Sequence, residues 1–142
     1  MEPTLLDTSI YVTALRNGRD AILSLRRLTP LAPLWLSAVV LEELYVGISG
    51  RERRVVERLE RDFERLRRIV VPNLSDWSQA GRVLARFALE YGYEEIGKGR
   101  LTNDALIALS AARHGITVIT ANQRDFPRLA RFRPFRFEVK TL

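Results

Sequence analysis

The chain has 142 residues, 46% hydrophobic and 28% charged, which suits a globular domain with a core of its own. With no cysteine and one histidine, His114, it excludes disulfides, thiolate metal sites, a cysteine nucleophile and any multi-histidine metal site. The net charge of +6 rests almost wholly on arginine, with Lys98 and Lys140 the only lysines, and it favours an anionic partner such as nucleic acid or an acidic protein segment. No apolar run reaches the roughly eighteen residues that a membrane span needs. The opening MEPTLLDTSI has no basic stretch ahead of an apolar one, so no signal peptide is expected and a cytoplasmic location is.

Residues 4–6 predict a first strand ending at Asp7, and Thr8 or Ser9 could cap a helix over about 9–15. Asn17-Gly18 breaks that helix, and 20–28 reads as a second helical piece with Ala21, Leu25 and Leu28 on one face. Pro30 and Pro33 mark a loop before a strand at 34–36. Ser37 then caps a helix over 38–48 whose stripe is Val39, Val40, Leu44 and Ile48. Residues 51–68 carry eight arginines and five acids and predict a charged helix with Val55, Leu59, Phe63 and Leu66 as its apolar stripe.

A third strand at 69–71 is stopped by Pro72, and Ser75 is the expected cap of a helix running to about Tyr91. Residues 92–101 read as a glycine-containing loop, and 102–114 as an apolar helix ended by Gly115. Residues 116–120 give the clearest strand, and 135–139 an edge strand. Strands alternating with helices imply an α/β fold with a mainly parallel sheet covered on both faces. Nothing divides the chain, so a single domain over 1–142 is expected.

Four acids stand where chemistry would need them. Asp7 directly follows an apolar strand, the place where open parallel sheets bind ligands. Glu43 lies on or beside the buried stripe of its helix, where a carboxylate is costly unless paired or bound to a cation, while Glu42 points about 100° away toward solvent. Asp104 opens a helix that is apolar nearly all round, and Asp125 follows the strand that ends at Thr120. Each residue alone also fits a plainer role, as a cap, a turn or a stripe-edge side chain. Together they place carboxylates at one edge of an α/β sheet, where they would repel one another unless a hard divalent cation intervened.

In order along the chain, LLDTSI, then SAVVLEELYVG (Ser37 to Gly47), then LTNDALIALSAARHG, then VITANQRDF resemble the four motifs of a PIN domain of the VapC-like toxin type. The resemblance covers essentially the whole chain. It implies a PIN-like three-layer α/β/α sandwich and a metal-dependent endoribonuclease that leaves 5′-phosphate and 3′-hydroxyl ends. Asp7, Glu43, Asp104 and Asp125 become its catalytic and metal-binding acids, with one or two Mg²⁺ ions per site and Mn²⁺ as a substitute. Thr8, Ser9, Thr120 and Asn122 become residues that orient ligands or water. Many family members carry an aspartate where this chain has Asn122, so either Asn122 or Asp125 completes the site. Asn122 could give an amide oxygen or a water contact, and Asp125 could help hold a second ion through water.

The resemblance also implies a toxin–antitoxin pair, a homodimer and a cognate antitoxin docked near the site. The 51–68 helix could serve either the core or that antitoxin contact. Candidate RNA contacts are Arg16, Arg19, Lys98, Arg100 and Arg124. His114, at a helix end, reads as a cap and dipole partner. Two other readings compete: a PIN-like nuclease of RNA maturation or DNA processing, and a non-enzymatic nucleic-acid-binding regulator on the same fold. A phosphoaspartate enzyme would want an aspartate where Ser9 stands, and no phosphate-binding or dinucleotide-binding glycine motif is present.

Overall fold

A computed structural model describes residues 2–17, 33–98 and 100–140, with Lys98 described as backbone only. The helical piece expected over 20–28, and Arg19, lie outside the described residues. Five strands, β1 (Thr4–Leu6), β2 (Leu34–Ser37), β3 (Ile69–Val70), β4 (Thr117–Thr120) and β5 (Phe137–Val139), form one sheet in the order β3-β2-β1-β4-β5. Every neighbouring pair is parallel. β1 and β4 are buried along their whole length, which is why both read as short unbroken apolar runs and not as alternating patterns.

Helices flank this sheet, giving the expected α/β sandwich: α1 (Thr8–Arg16), α2 (Ala38–Gly47), α3 (Gly50–Leu66), α4 (Leu74–Tyr91), α5 (Tyr93–Lys98), α6 (Leu101–Arg113) and α7 (Asp125–Ala130). α6 is the central helix. Its Ile107, Ala108 and Ala111 join the core built from the strands with α1, α2 and α3. Its Leu101, Ala105, Leu106 and Leu109 join a second core with Ala80, Val83, Leu84 and Phe87 of α4. Small alanines on this helix let neighbours approach from several sides. Among the described residues no helix is long and apolar enough to cross a membrane.

Several local expectations are corrected. The segment 92–101 is not a loop: Gly92, at φ 95°, ends α4, and the acids Glu94 and Glu95 then open the short helix α5. The cap of α4 is Asn73, not Ser75. The Asn73 side chain accepts from the Asp76 N–H at 2.9 Å, and Asp76 accepts from the Asn73 N–H at 2.9 Å. In α3 Val56 and Phe63 are buried and Val55 and Leu59 pack against the same core, while Leu66 is exposed. The predicted stripe therefore holds from Val55 to Phe63, gains Val56, and leaves the core before Leu66. α1 begins at Thr8 with Asp7 at its cap position, yet the Asp7 side chain makes no capping bond.

Candidate active site: a carboxylate cluster at the sheet edge

β1 and β4 lie in register with Leu6 beside Ile119, so Asp7 and Thr120 emerge together at the carboxyl edge. Asp7 is 4% exposed, and its N–H donates to the Ile119 carbonyl at 2.8 Å. Its Oδ2 accepts from the Ser9 and Thr120 hydroxyls, each at 2.9 Å. Those hydroxyls are themselves fixed: Ser9 Oγ accepts from the Ala121 N–H and Thr120 Oγ1 from the Asn122 N–H. Asp7 is thus not spent on capping. It is aimed by two neutral donors, as a ligand carboxylate would be.

α2 brings Glu43 to the same place. Glu43 is partly buried, and its Oε1 accepts from Thr8 Oγ1 at 2.7 Å. Glu42 is exposed, as its position predicts. It lines a cleft of about 380 Å³ with Val46, Ile96, Arg100, Thr102 and Asn103. α6 supplies Asp104, 8% exposed, from its first turn. No hydrogen bond among the described residues ends on its side chain. Burial pushes the Asp104 carboxyl up to about 9, and the negative fields of Asp7, Glu43 and Asp125 push it the same way.

Asp125, in the first turn of α7, is held differently. Arg128 Nη2 donates to its Oδ1 at 2.7 Å and Asn122 Nδ2 to its Oδ2 at 3.0 Å. The amide oxygen of Asn122 accepts from the Arg124 and Asp125 N–H groups. That oxygen is therefore used inside the turn. Arg128 was not among the residues singled out from the sequence. Its only trace there is an arginine three places after an aspartate on a helix.

The candidate RNA contacts are dispersed. Arg16 is exposed at the end of α1, Arg100 is exposed at φ 52°, and Arg124 is paired with Glu95 at 2.9 Å. Arg19 and the Lys98 side chain fall outside the described residues.

The PIN domain family matches residues 4–132. The chain belongs to that family. Among solved structures, this PIN domain is similar to DNA-bound VapBC from Salmonella typhimurium, with a TM-score of 0.65 and 23% identity over 98% of each chain. It is also similar to VapBC2 from Rickettsia felis bound to a promoter DNA fragment (TM-score 0.62, 23% identity, 97% of this chain and 98% of that one). FitAcB from Neisseria gonorrhoeae gives a TM-score of 0.63 and 24% identity over 94% of this chain and 95% of that one. These likenesses establish the fold. No curated protein matches the sequence. PIN domains are in general nucleases, and PIN nucleases typically use divalent metal ions.

Among the described residues no group of three or more His, Cys, Asp or Glu side chains converges closely enough to grip a metal ion in this conformation. The acids act on one another through space instead, Asp7, Glu43 and Asp125 adding to burial in raising the pKa of Asp104. Their chemistry nevertheless fits a hard cation. The donors are all oxygen, and three of the acids have no basic side chain among their described hydrogen-bonding partners.

Proposed function

We propose that this PIN domain is a divalent-metal-dependent endoribonuclease and the toxin of a toxin–antitoxin pair. The observation that carries the nuclease reading is Asp104: a buried acid with no donor among the described residues, pressed by three further carboxylates from other segments. Such a site is unfavourable by itself and is relieved by a cation. The presence of VapBC and FitAB complexes among the similar structures supports the antitoxin partner.

In this reading Asp7, Glu43 and Asp104 hold Mg²⁺ or Mn²⁺, and Asp125 helps a second ion through water. A bound ion of this kind lowers the pKa of water and stabilises charge on the phosphoryl oxygens. Ser9 and Thr120 keep Asp7 aimed, and Thr8 does the same for Glu43. A carboxylate of the cluster takes the proton from the water that attacks phosphorus in line; the bond from phosphorus to the 3′ oxygen breaks, that oxygen leaves as a hydroxyl on taking up a proton, and arginines face the charge that builds on the phosphate. The reading includes a homodimer, a cytoplasmic location and a single domain over 1–142.

The test is cleavage of a mixed pool of structured RNA by the purified, antitoxin-free protein with Mg²⁺, with Mn²⁺ and with excess chelator. Asp7→Asn and Asp104→Asn proteins run alongside. Cleavage should need the metal and vanish in both variants, with 5′-phosphate ends. Cleavage that survives both substitutions, or that persists in chelator, would sink the assignment.

A further inference from the structure

Asp125 differs from the other three acids because a cation of the protein already occupies it. Arg128 Nη2 lies 2.7 Å from Asp125 Oδ1 and 3.6 Å from Glu95 Oε2 of α5. The side chains of Arg128 and Asp125 are 17% and 13% exposed, so water screens this pair little. The guanidinium is held from the other side by aromatic rings of α4, with its carbon 4.9 Å from the Phe87 centroid and 4.7 Å from that of Tyr91. Its Nε is buried without a hydrogen-bond partner among the described residues. An unpaired buried N–H costs about 1–3 kcal/mol, so an apolar residue would fill this space at less cost if packing were its only role. Asn122 closes the other side of the carboxylate, donating to Oδ2 at 3.0 Å while two backbone N–H groups lock its own oxygen. An aspartate in place of Asn122 would set a second carboxylate against Asp125 with no proton to share.

Resting on the metal-dependent reading above, we propose that Arg128 is a positioning residue: with Asn122 it clamps Asp125 beside the acid cluster, so that Asp125 meets the ion through water and not as a direct ligand. The direct ligands are then Asp7, Glu43 and Asp104. The clamp removes one negative charge from the place where a phosphodiester must approach, and it fixes the remaining direction of Asp125 through α7 and the rings of α4.

Mn²⁺ binding, followed by calorimetry and by the electron paramagnetic resonance of the free ion, tests this without any cleavage assay. The proteins are wild type, Asp104→Asn, Asp125→Asn, Arg128→Gln, Arg128→Lys and the Arg128→Gln/Asp125→Asn double variant. Second-sphere groups change metal affinity on a scale of about 10- to 100-fold. Asp125→Asn should therefore weaken Mn²⁺ about tenfold, the lower end of that scale, whereas Arg128→Gln, by freeing Asp125, should tighten it about tenfold. Arg128→Lys should behave as wild type, and the double variant should lose the gain.

An Asp125→Asn that loses Mn²⁺ as completely as Asp104→Asn does would make Asp125 a direct ligand and overturn the clamp. So would a folded Arg128→Gln that titrates as wild type does. If Arg128→Gln does not fold, Asp125→Asn and Arg128→Lys decide alone. Wild-type binding that depends on Asp104 but not on Arg128 defeats only the clamp. A wild type that takes up no Mn²⁺ defeats the metal reading and the clamp with it.

Discussion

Asp76 and Asp104 look alike in the sequence and locally in the structure: each is a buried aspartate in the first turn of a long helix, 3% and 8% exposed. Their surroundings are opposite. Asp76 accepts from Arg113 Nε at 3.1 and 3.0 Å, from Arg113 Nη2 at 2.9 Å and from the Asn73 N–H. Arg113 also reaches the Val71 carbonyl, so the pair ties α4, α6 and the end of β3 together. Asp104 has no such partner among the described residues and faces three acids. A buried carboxylate that is fully compensated is architecture, whereas one left uncompensated is held by the fold against its own electrostatics. The second kind is where binding of a cation returns the most free energy.

The largest separation between the two should appear in cleavage. In the proposed site Asp104→Asn would remove a ligand oxygen, and it should lower RNA cleavage by more than the roughly 100-fold that loss of a supporting residue costs. Asp76→Asn should leave cleavage per folded molecule nearly unchanged. Equal losses in the two variants would abolish the distinction drawn between them.

Stability should move in opposite directions. Asp76→Ala strands the Arg113 guanidinium and breaks a mostly buried pair, for an expected loss of about 3 kcal/mol in chemical denaturation. Asp104→Asn should instead stabilise the protein in chelator. The sign follows from linkage: the folded-state pKa, about 9, lies above the ordinary 3.8, so the folded protein holds this proton more tightly than the unfolded chain. The contribution is fully present below pH 3.8 and is lost as pH rises toward 9. One pKa unit corresponds to about 1.4 kcal/mol, and a gain of about 1–3 kcal/mol for Asp104→Asn at pH 8 is expected, shrinking at pH 5. Urea titrations at the two pH values in chelator measure it, and a variant no more stable at pH 8 than wild type would contradict it.

Metal should reverse the deficit only where Asp104 is intact. At a hundred times its dissociation constant a ligand adds about 2.7 kcal/mol to the folded state. Thermal melts with Mg²⁺ or Mn²⁺ should therefore rise by several degrees for wild type, with little change for Asp104→Asn. Asp76→Ala should melt lower than wild type but show the same increment, because its defect lies away from the cluster.

Much of this contrast was hidden in the sequence for a definable reason. The strands at β1 and β4 were legible because fully buried parallel strands are short apolar runs ended by polar residues, and that same feature pointed to Asp7 and Thr120. Glu43 was legible from helical spacing. Asp104 stood out through the apolar helix it opens, but the lack of a compensating partner there did not, since a first-turn acid fits the helix dipole at Asp76 as well and only tertiary packing shows which one meets an arginine. Arg128 was invisible for the same reason: its role depends on α4 rings some forty residues away. The helix α5 was masked by Gly92 and Gly97, which read as loop punctuation although Gly92 serves only to end α4. The stripe of α3 was read one member too far: Val55, Leu59 and Phe63 meet the core, but Leu66, at the helix end, is exposed.

The smallest effect should come from Thr120, which acts on the cluster without carrying charge. Its hydroxyl is wholly buried, donates to Asp7 Oδ2 and accepts from the Asn122 N–H. Thr120→Val keeps the shape and removes both bonds, while Ser9 still holds the same Asp7 oxygen at 2.9 Å. Stability should fall by about 1–2 kcal/mol, the scale of stranding a buried N–H. Cleavage and Mn²⁺ affinity should fall about tenfold, the lower end of what an orienting partner contributes, because one of two donors remains. Ser9→Ala should cost a similar amount, and the double variant should cost more than the product of the two, since Asp7 then loses its only described side-chain donors. A double variant no worse than either single one would mean that the backbone at the β1 edge aims Asp7 by itself.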